Sequence, residues 1–386
     1  MVRADFSADG LVRQPARQDA VAVIGLRRFP NYIGGIETHC EQLYTAMQGH
    51  ADAPVIHIFM RSVDPDVRYP DGLHIHNVWA PKGFGIETFF HSLFSLLIAR
   101  ISCRISLVHF HGIGPAIWTP LARILGARVI VTHHAADFQR PKWSVIGKTL
   151  LQAGEYMAAR YANYIICISH AVADEFLDRH DGAGARTTII CHGLQQLGED
   201  EDILGRLGLS SRGYIFVAGR FDRTKRFEDV IAAHRLAACP LPLVIAGTSA
   251  GEPDYDARLL GDAGPNVIFA GLMRPEQMTS LYTHAALFVH ASQMEGCGLV
   301  VLEALRARAP VLVSDIPAHR EFGLAEDHFF PPGDIAALKA KLCGPFERES
   351  MQVYAAIDRH HDFSAMLDAH IAVYRSALCD EQNSFQ

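Results

Sequence analysis

Y-I-F-V-A-G-R-F-D-R-T-K, residues 214–225, reads as a buried strand that ends on a glycine and turns through a cationic loop toward a helix. An unbroken apolar run has no wet face, which is the habit of a parallel strand covered on both sides. The same unit recurs downstream in L-P-L-V-I-A-G (241–247), N-V-I-F-A-G (266–271), A-L-F-V-H (286–290) and P-V-L-V-S (310–314). Upstream, an independent series runs A-V-A-V-I-G-L (20–26), P-V-I-H-I-F-M (54–60), L-H-I-H-N-V (73–78), S-L-V-H-F (106–110), R-V-I-V-T (128–132), Y-I-I-C-I (164–168) and T-T-I-I-C (187–191). Helical periodicity fills the gaps at 36–48, 86–101, 116–125 and 144–161. Two such series predict an α/β protein of two doubly wound, Rossmann-like domains facing across a cleft.

The boundaries read as a disordered N-terminal tail over 1–18 and a first domain over 19–195. A linker rich in Gly, Ser and charge follows over 196–212, and a second domain spans 213–360. A terminal helical segment, 361–386, is expected to cross back to the first domain. The 386 residues are 49% hydrophobic and 20% charged, enough apolar material for two cores and unlike a disordered chain. Eight cysteines without a C-x-x-C pair suit a reducing compartment. The tail has no apolar core segment of the kind a signal peptide carries, and L-F-S-L-L-I-A-R-I (93–101) is too short to span a bilayer. The expectation is a cytoplasmic protein, with peripheral attachment to the inner face of the membrane as an option. The net charge of -7 shows no basic stripe interleaved with aromatics, which argues against nucleic acid.

Ligands of parallel sheets gather at the carboxyl ends of the strands, so the turns there are the candidates for chemistry. After the first strand, Gly25 is followed by Leu26, Arg27 and Arg28, so the dinucleotide fingerprint G-x-G-x-x-G is absent. Instead Gly34 and Gly35 precede a helix, leaving free N–H groups for an anion. In the second series Arg220 and Lys225 flank the first turn, two cations placed to neutralise a diphosphate. The most informative stretch is E-G-C-G-L-V-V-L-E (295–303). Glu295 precedes a glycine turn into an apolar helix, amides at Gly298 and Leu299 suit a phosphate, and Glu303 is expected about one and a half turns inside. Twenty-one histidines invite a metal reading, but the H-x-H pairs 74/76 and 109/111 fall on strands without accompanying carboxylates. Asp254-Tyr255-Asp256 reads as a surface loop. No metal site is expected.

Together these residues resemble the family-4 glycosyltransferases of the GT-B fold. The likeness rests on E-x7-E at 295–303, the G-R-F-D-R-T-K turn (219–225), G-L-M-R-P-E-Q-M (271–278), A-L-F-V-H-A-S (286–292) and S-D-I-P-A-H-R-E (314–321), and it spans about 20–378. The first domain looks closest to bacterial polysaccharide rhamnosyltransferase-like members, through P-N-Y-I-G-G-I-E-T (30–38), V-H-F-H-G-I-G-P-A (108–116) and V-T-H-H-A-A-D-F-Q-R-P-K-W (131–143). The resemblance implies a retaining, metal-independent hexosyltransferase without a cofactor, its co-substrate a nucleotide-diphosphate sugar. The acceptor is expected to be a saccharide or a polyprenyl-diphosphate-linked saccharide in bacterial surface or exopolysaccharide synthesis.

By the same resemblance, Arg220 and Lys225 bind the diphosphate, and Gly34 and Gly35 close over it. Glu295 and His134 contact the donor sugar, while Cys297, Gly298 and Leu299 hold phosphate or sugar. Glu303 takes the ribose, Met273 and Arg274 receive the base, and His109 and His111 lie on the acceptor side. Three positions depart from the family pattern: Cys297 where Phe is usual, His290 where Pro is common before Ala-Ser, and Ala135 where Gly follows the cleft histidine. Two alternatives share the architecture. A nucleotide-sugar epimerase or hydrolase would release sugar without an acceptor, and a two-lobed sugar-binding protein would carry an export signal.

Overall fold

In the computed structural model, residues 19–30, 34–62, 67–83, 85–342 and 344–383 are described. The expected disordered tail, and Asn31 to Ile33 of the glycine loop, lie outside them. The first sheet comprises β1 (Ala20–Leu26), β2 (Val55–Met60), β3 (His74–Asn77), β4 (Leu107–His111), β5 (Arg128–His133), β6 (Tyr164–Cys167) and β7 (Thr187–Ile189). The second comprises β8 (Ile215–Ala218), β9 (Leu243–Ala246), β10 (Val267–Gly271), β11 (Leu287–His290), β12 (Val311–Ser314) and β13 (Phe329–Phe330). Strand order is 3-2-1-4-5-6-7 in one sheet and 10-9-8-11-12-13 in the other, with parallel pairing throughout. Order reverses between β1 and β4 and between β8 and β11, and at such switch points the flanking helices diverge and open a crevice.

Both faces of each sheet are buried, as the uninterrupted apolar runs require. On β1, Ala22 and Ile24 point into one core cluster while Val21 and Val23 point into another. On β8, Phe216 and Ala218 go one way, Ile215 and Val217 the other.

Four readings change in the structure. The helix expected over 86–101 is α-helical at Ile86–Leu97 and widens to a π-turn at Ile98–Ser102. Its amide at Cys103 bonds back to Ile98. Asp254 and Asp256 occupy the first turn of helix Pro253–Asp262 rather than a loop, since Pro253 at its start is preset for helical φ and acids favour that end. The short β13 was not read, because two residues carry no periodicity. Residues 196–212 are not a free linker: helix Ile203–Arg206 sits within them and buries Ile203 in the second lobe's core.

Helix Met351–His360 packs Tyr354 and Ile357 into the second lobe, and helix Phe363–Asn383 packs Met366, Ile371, Tyr374, Ala377 and Leu378 into the first. The two crossings between lobes run side by side: Leu194 pairs with Asp362, Leu194 N–H donates to His361 O at 3.1 Å, and His361 Nδ1 donates to His192 O at 2.8 Å. Gly193 is required there, because a Cβ would overlap the backbone of Asp362 and Phe363.

Candidate functional site

The second lobe's half of the cleft is built around one turn. Asp222 accepts from Thr224 N at 2.9 Å and from Thr224 Oγ1 at 2.6 Å, fixing the 3-10 turn Arg223–Lys225. Thr224 O in turn receives Gln293 N–H at 2.8 Å and Ser292 Oγ at 3.1 Å. The loop carrying Glu295 is thereby pinned to the turn carrying Lys225. Lys225 Nζ donates to Glu295 Oε1, and His290 Nε2 donates to the same oxygen at 2.7 Å. Burial alone would raise the Glu295 carboxyl, but Lys225 and His290 hold it well below the usual carboxylate range. Arg220, half-buried just past β8, makes no side-chain hydrogen bond or ion pair among the described residues.

Helix Leu299–Arg306 starts at Gly298, whose φ of +71 lies in the left-handed region that glycine favours. The N–H groups of Gly298 and Leu299 have no partner among the described residues, which leaves a helix-start amide pair just past Glu295 and its partner Lys225. Glu303, one turn in, accepts from Tyr282 OH at 2.9 Å, and burial pushes its pKa up to about 7. It shares a small cavity with Thr38, His39, Gln42, His192 and Leu299.

The first lobe closes on this face. Gly35 packs against Leu299, Ser169 Oγ donates to Gly296 O at 2.6 Å, and Gly296 lies so close to the His134 carbonyl that any Cβ would overlap it. Cys297 is buried and belongs to the first lobe's apolar cluster, so it serves the contact between lobes. Arg140 bonds Asp137 at 2.7 Å and reaches across to Asp222 at 3.9 Å. Burial lowers its affinity for the proton, and Asp137, Glu295 and Asp222 more than restore it.

One expected placement needs correction. His109 and His111 do not line the acceptor side: they are 0% and 1% exposed, beneath the cleft floor. There His134 Nε2 meets His111 Nδ1 at 3.2 Å and His111 Nε2 meets Tyr44 OH at 2.5 Å. Tyr44 OH meets Tyr374 OH at 3.0 Å, Tyr374 OH meets His109 Nδ1 at 2.6 Å, and His109 Nε2 ends on Thr132 Oγ1 at 2.7 Å. Burial drives these imidazoles well below their ordinary pKa, so they are neutral and act through hydrogen bonds. Arg274 is exposed and ion-pairs with Asp200 at 3.0 Å, while Met273 is half-buried against the second lobe's core. The neighbouring His133 is structural: with Arg179 and His180 it surrounds the buried Glu155 at 2.8–3.0 Å.

Arg140 and Ser169 went unassigned from sequence, and His290 was noted only as a departure. All three act across tertiary contacts that no local pattern displays. Among the described residues no group of three or more His, Cys, Asp or Glu is arranged to hold a metal ion.

Two parallel-sheet lobes with an amide-and-cation face met by Gly35 of the opposite lobe define a protein of GT-B architecture. Residues 33–195 match the family model described as Glycosyltransferase Family 4, and residues 201–347 the one described as Glycosyl transferases group 1. The chain belongs to the family-4 glycosyltransferases of the GT-B fold. It is 26% identical over 281 residues to an alpha-D-kanosaminyltransferase of Streptomyces kanamyceticus, covering 64% of this chain and 71% of that one. It is also 26% identical to an O-antigen chain mannosyltransferase B of Escherichia coli, over 40% of this chain and 42% of that protein. In fold it is similar to sucrose-phosphate synthase from Thermosynechococcus elongatus (TM-score 0.79, 20% identity, 94% of this chain and 100% of the other). It is likewise similar to Anabaena HepE in complex with UDP and glucose (TM-score 0.74, 17% identity, 93% and 100%).

Proposed function

We propose that this chain is a retaining, metal-independent hexosyltransferase. It moves a hexose or deoxyhexose from a nucleotide-diphosphate sugar to a glycan or lipid-linked saccharide in bacterial surface or exopolysaccharide synthesis. One observation carries the reading: the Lys225–Glu295 pair stands just before the unbonded helix-start amides of Gly298 and Leu299, on the turn that also carries Arg220, which has no side-chain partner among the described residues. Two cations and two amides supply the charge a departing diphosphate needs, without calling on a metal. The bond from the sugar's anomeric carbon to the phosphate oxygen breaks as the bond to the acceptor hydroxyl forms on the same face. The acceptor's proton passes to the leaving phosphate oxygen, so no side-chain nucleophile is needed. Lobe closure through Gly35, Gly296 and Ser169 excludes water and aligns the partners.

A donor sugar of the rhamnose, mannose or amino-sugar type is favoured by the first lobe's sequence and by the relatives' names. Peripheral membrane attachment is supported by exposed Ile86, Val145, Ile146 and Leu150 around Trp143, which packs near Gly85, with Lys142 beside it. No helix among the described residues is long and apolar enough to cross a membrane. The test is nucleotide release from a panel of nucleotide sugars with chelator present, with and without membrane lipid extract. Acceptor-dependent release, lost in Arg220→Ala by ~100-fold or more, is expected. Release indifferent to acceptor would instead indicate an epimerase or hydrolase.

A further inference from the structure

Glu295 has two hydrogen-bond partners, and both fall on one oxygen. Lys225 and His290 donate to Oε1, while Oε2 has no partner among the described residues. The partners differ in freedom. Lys225 sits at the cleft mouth on a flexible stem, its side chain 18% exposed. The proposed function asks its ammonium to follow a diphosphate, a stronger anion than one carboxylate. His290 is 2% exposed at the end of β11. Its ring stacks on Phe288 at 6.2 Å and 12°, and meets His319 edge-on at 5.4 Å. His319 is itself fixed by its Nδ1 bond to Ser314 O at 2.7 Å. β11 pairs with β8 through Phe288 and Phe216, so His290 ends the strand next to the one that leads into Gly219 and Arg220. The backbone under Glu295 is already anchored to Thr224, so the direction of its carboxylate is what remains to be set.

We propose that His290 is the positioning residue of Glu295, keeping Oε1 pinned when Lys225 turns to the donor diphosphate so that Oε2 stays aimed at a hydroxyl of the donor sugar. The proposal rests on the transferase reading given above. Without His290 the carboxylate would be released at the moment the sugar must be held, and misplacing one contact group by an ångström costs up to ~100-fold in rate. The bond also gives a reason for a histidine at a position where the family commonly carries proline, which has no side-chain donor.

The experiment compares His290→Leu, His290→Gln and His290→Asn with the parent protein in the donor-panel assay. Thermal melting checks folding, and calorimetry with UDP, GDP, ADP and dTDP measures diphosphate binding. Glutamine can place an amide N–H close to where imidazole Nε2 stands, whereas asparagine falls short by one bond and leucine donates nothing. The expected result is a ~10- to 100-fold fall in kcat for Leu and Asn, recovery to within a few-fold of the parent for Gln, and nucleoside diphosphate Kd changed by less than about 3-fold throughout. Normal kcat in the folded Leu variant, or Gln and Asn behaving alike, overturns the positioning role and leaves the transferase reading intact. Absence of turnover with every donor in the parent protein overturns both.

Discussion

Glutamine at position 303 tests the electrostatics of the cleft without disturbing its shape. Glu303 is half-buried on the second turn of helix Leu299–Arg306 with one donor, Tyr282 OH, at 2.9 Å. Burial raises its pKa from 4.5 to about 7, and the tyrosine offsets only part of that. An acid whose folded pKa lies above its unfolded one binds its proton more tightly when folded. The stability penalty is therefore absent below about pH 4.5, grows as pH rises, and is complete above about pH 7. At 1.36 kcal/mol per unit the ceiling is about 3 kcal/mol, which partial solvent access reduces to about 1–2 kcal/mol. Thermal unfolding of Glu303→Gln should match the parent protein at pH 5 and exceed it by roughly 2–5 °C at pH 8.5. On the reading in which Glu303 takes the donor ribose, the same substitution should weaken nucleoside diphosphate binding by ~10-fold or more, since the ribose hydroxyl then loses a charged acceptor. An equal change in melting temperature at both pH values would refute the claim that a costly buried charge is kept at this position.

Arg140→Ala should lower kcat by ~10-fold or more, since it removes the first lobe's cation from Asp222 and Glu295; a steady-state assay with unchanged kcat would remove Arg140 from the site. Glu155→Gln should destabilise the first lobe by about 3–5 kcal/mol in urea unfolding, because Arg179 and two histidines lose their buried carboxylate. Glu155 is held at about 2, below its ordinary 4.5, so its contribution is present above pH 4.5 and fades as pH falls toward 2. Tyr374→Phe should cost about 1–3 kcal/mol by leaving His109 Nδ1 without its 2.6 Å partner, measured by the same unfolding curve.

Periodicity carried the architecture because the central strands are apolar on both faces: A-V-A-V-I at β1 and Y-I-F-V-A at β8 admit few other readings. That Arg220 and Lys225 share the turn after β8, and that Glu295 and Glu303 flank the start of one helix, was legible because each pair falls within one short stretch. What stayed hidden depends on distance in sequence. His109 and His111 looked like cleft residues because they close β4, yet Tyr44 and Tyr374, from opposite ends of the chain, roof them over. Arg140 stood inside a quoted motif, but its function depends on Asp222 arriving from the other lobe. The tie between Asp200 and Arg274 likewise turned a segment rich in Gly and charge into part of the second lobe.

The helix Phe363–Asn383 belongs to the first lobe although the whole second lobe precedes it in the chain. During synthesis the first sheet emerges early, with the seat for Met366, Ile371 and Tyr374 uncovered and the Tyr44 hydroxyl lacking its Tyr374 partner. A ribosome adding ~5–20 residues per second leaves that apolar seat open for many seconds. A chain cut before this helix leaves the first lobe's core without the apolar face that seals it.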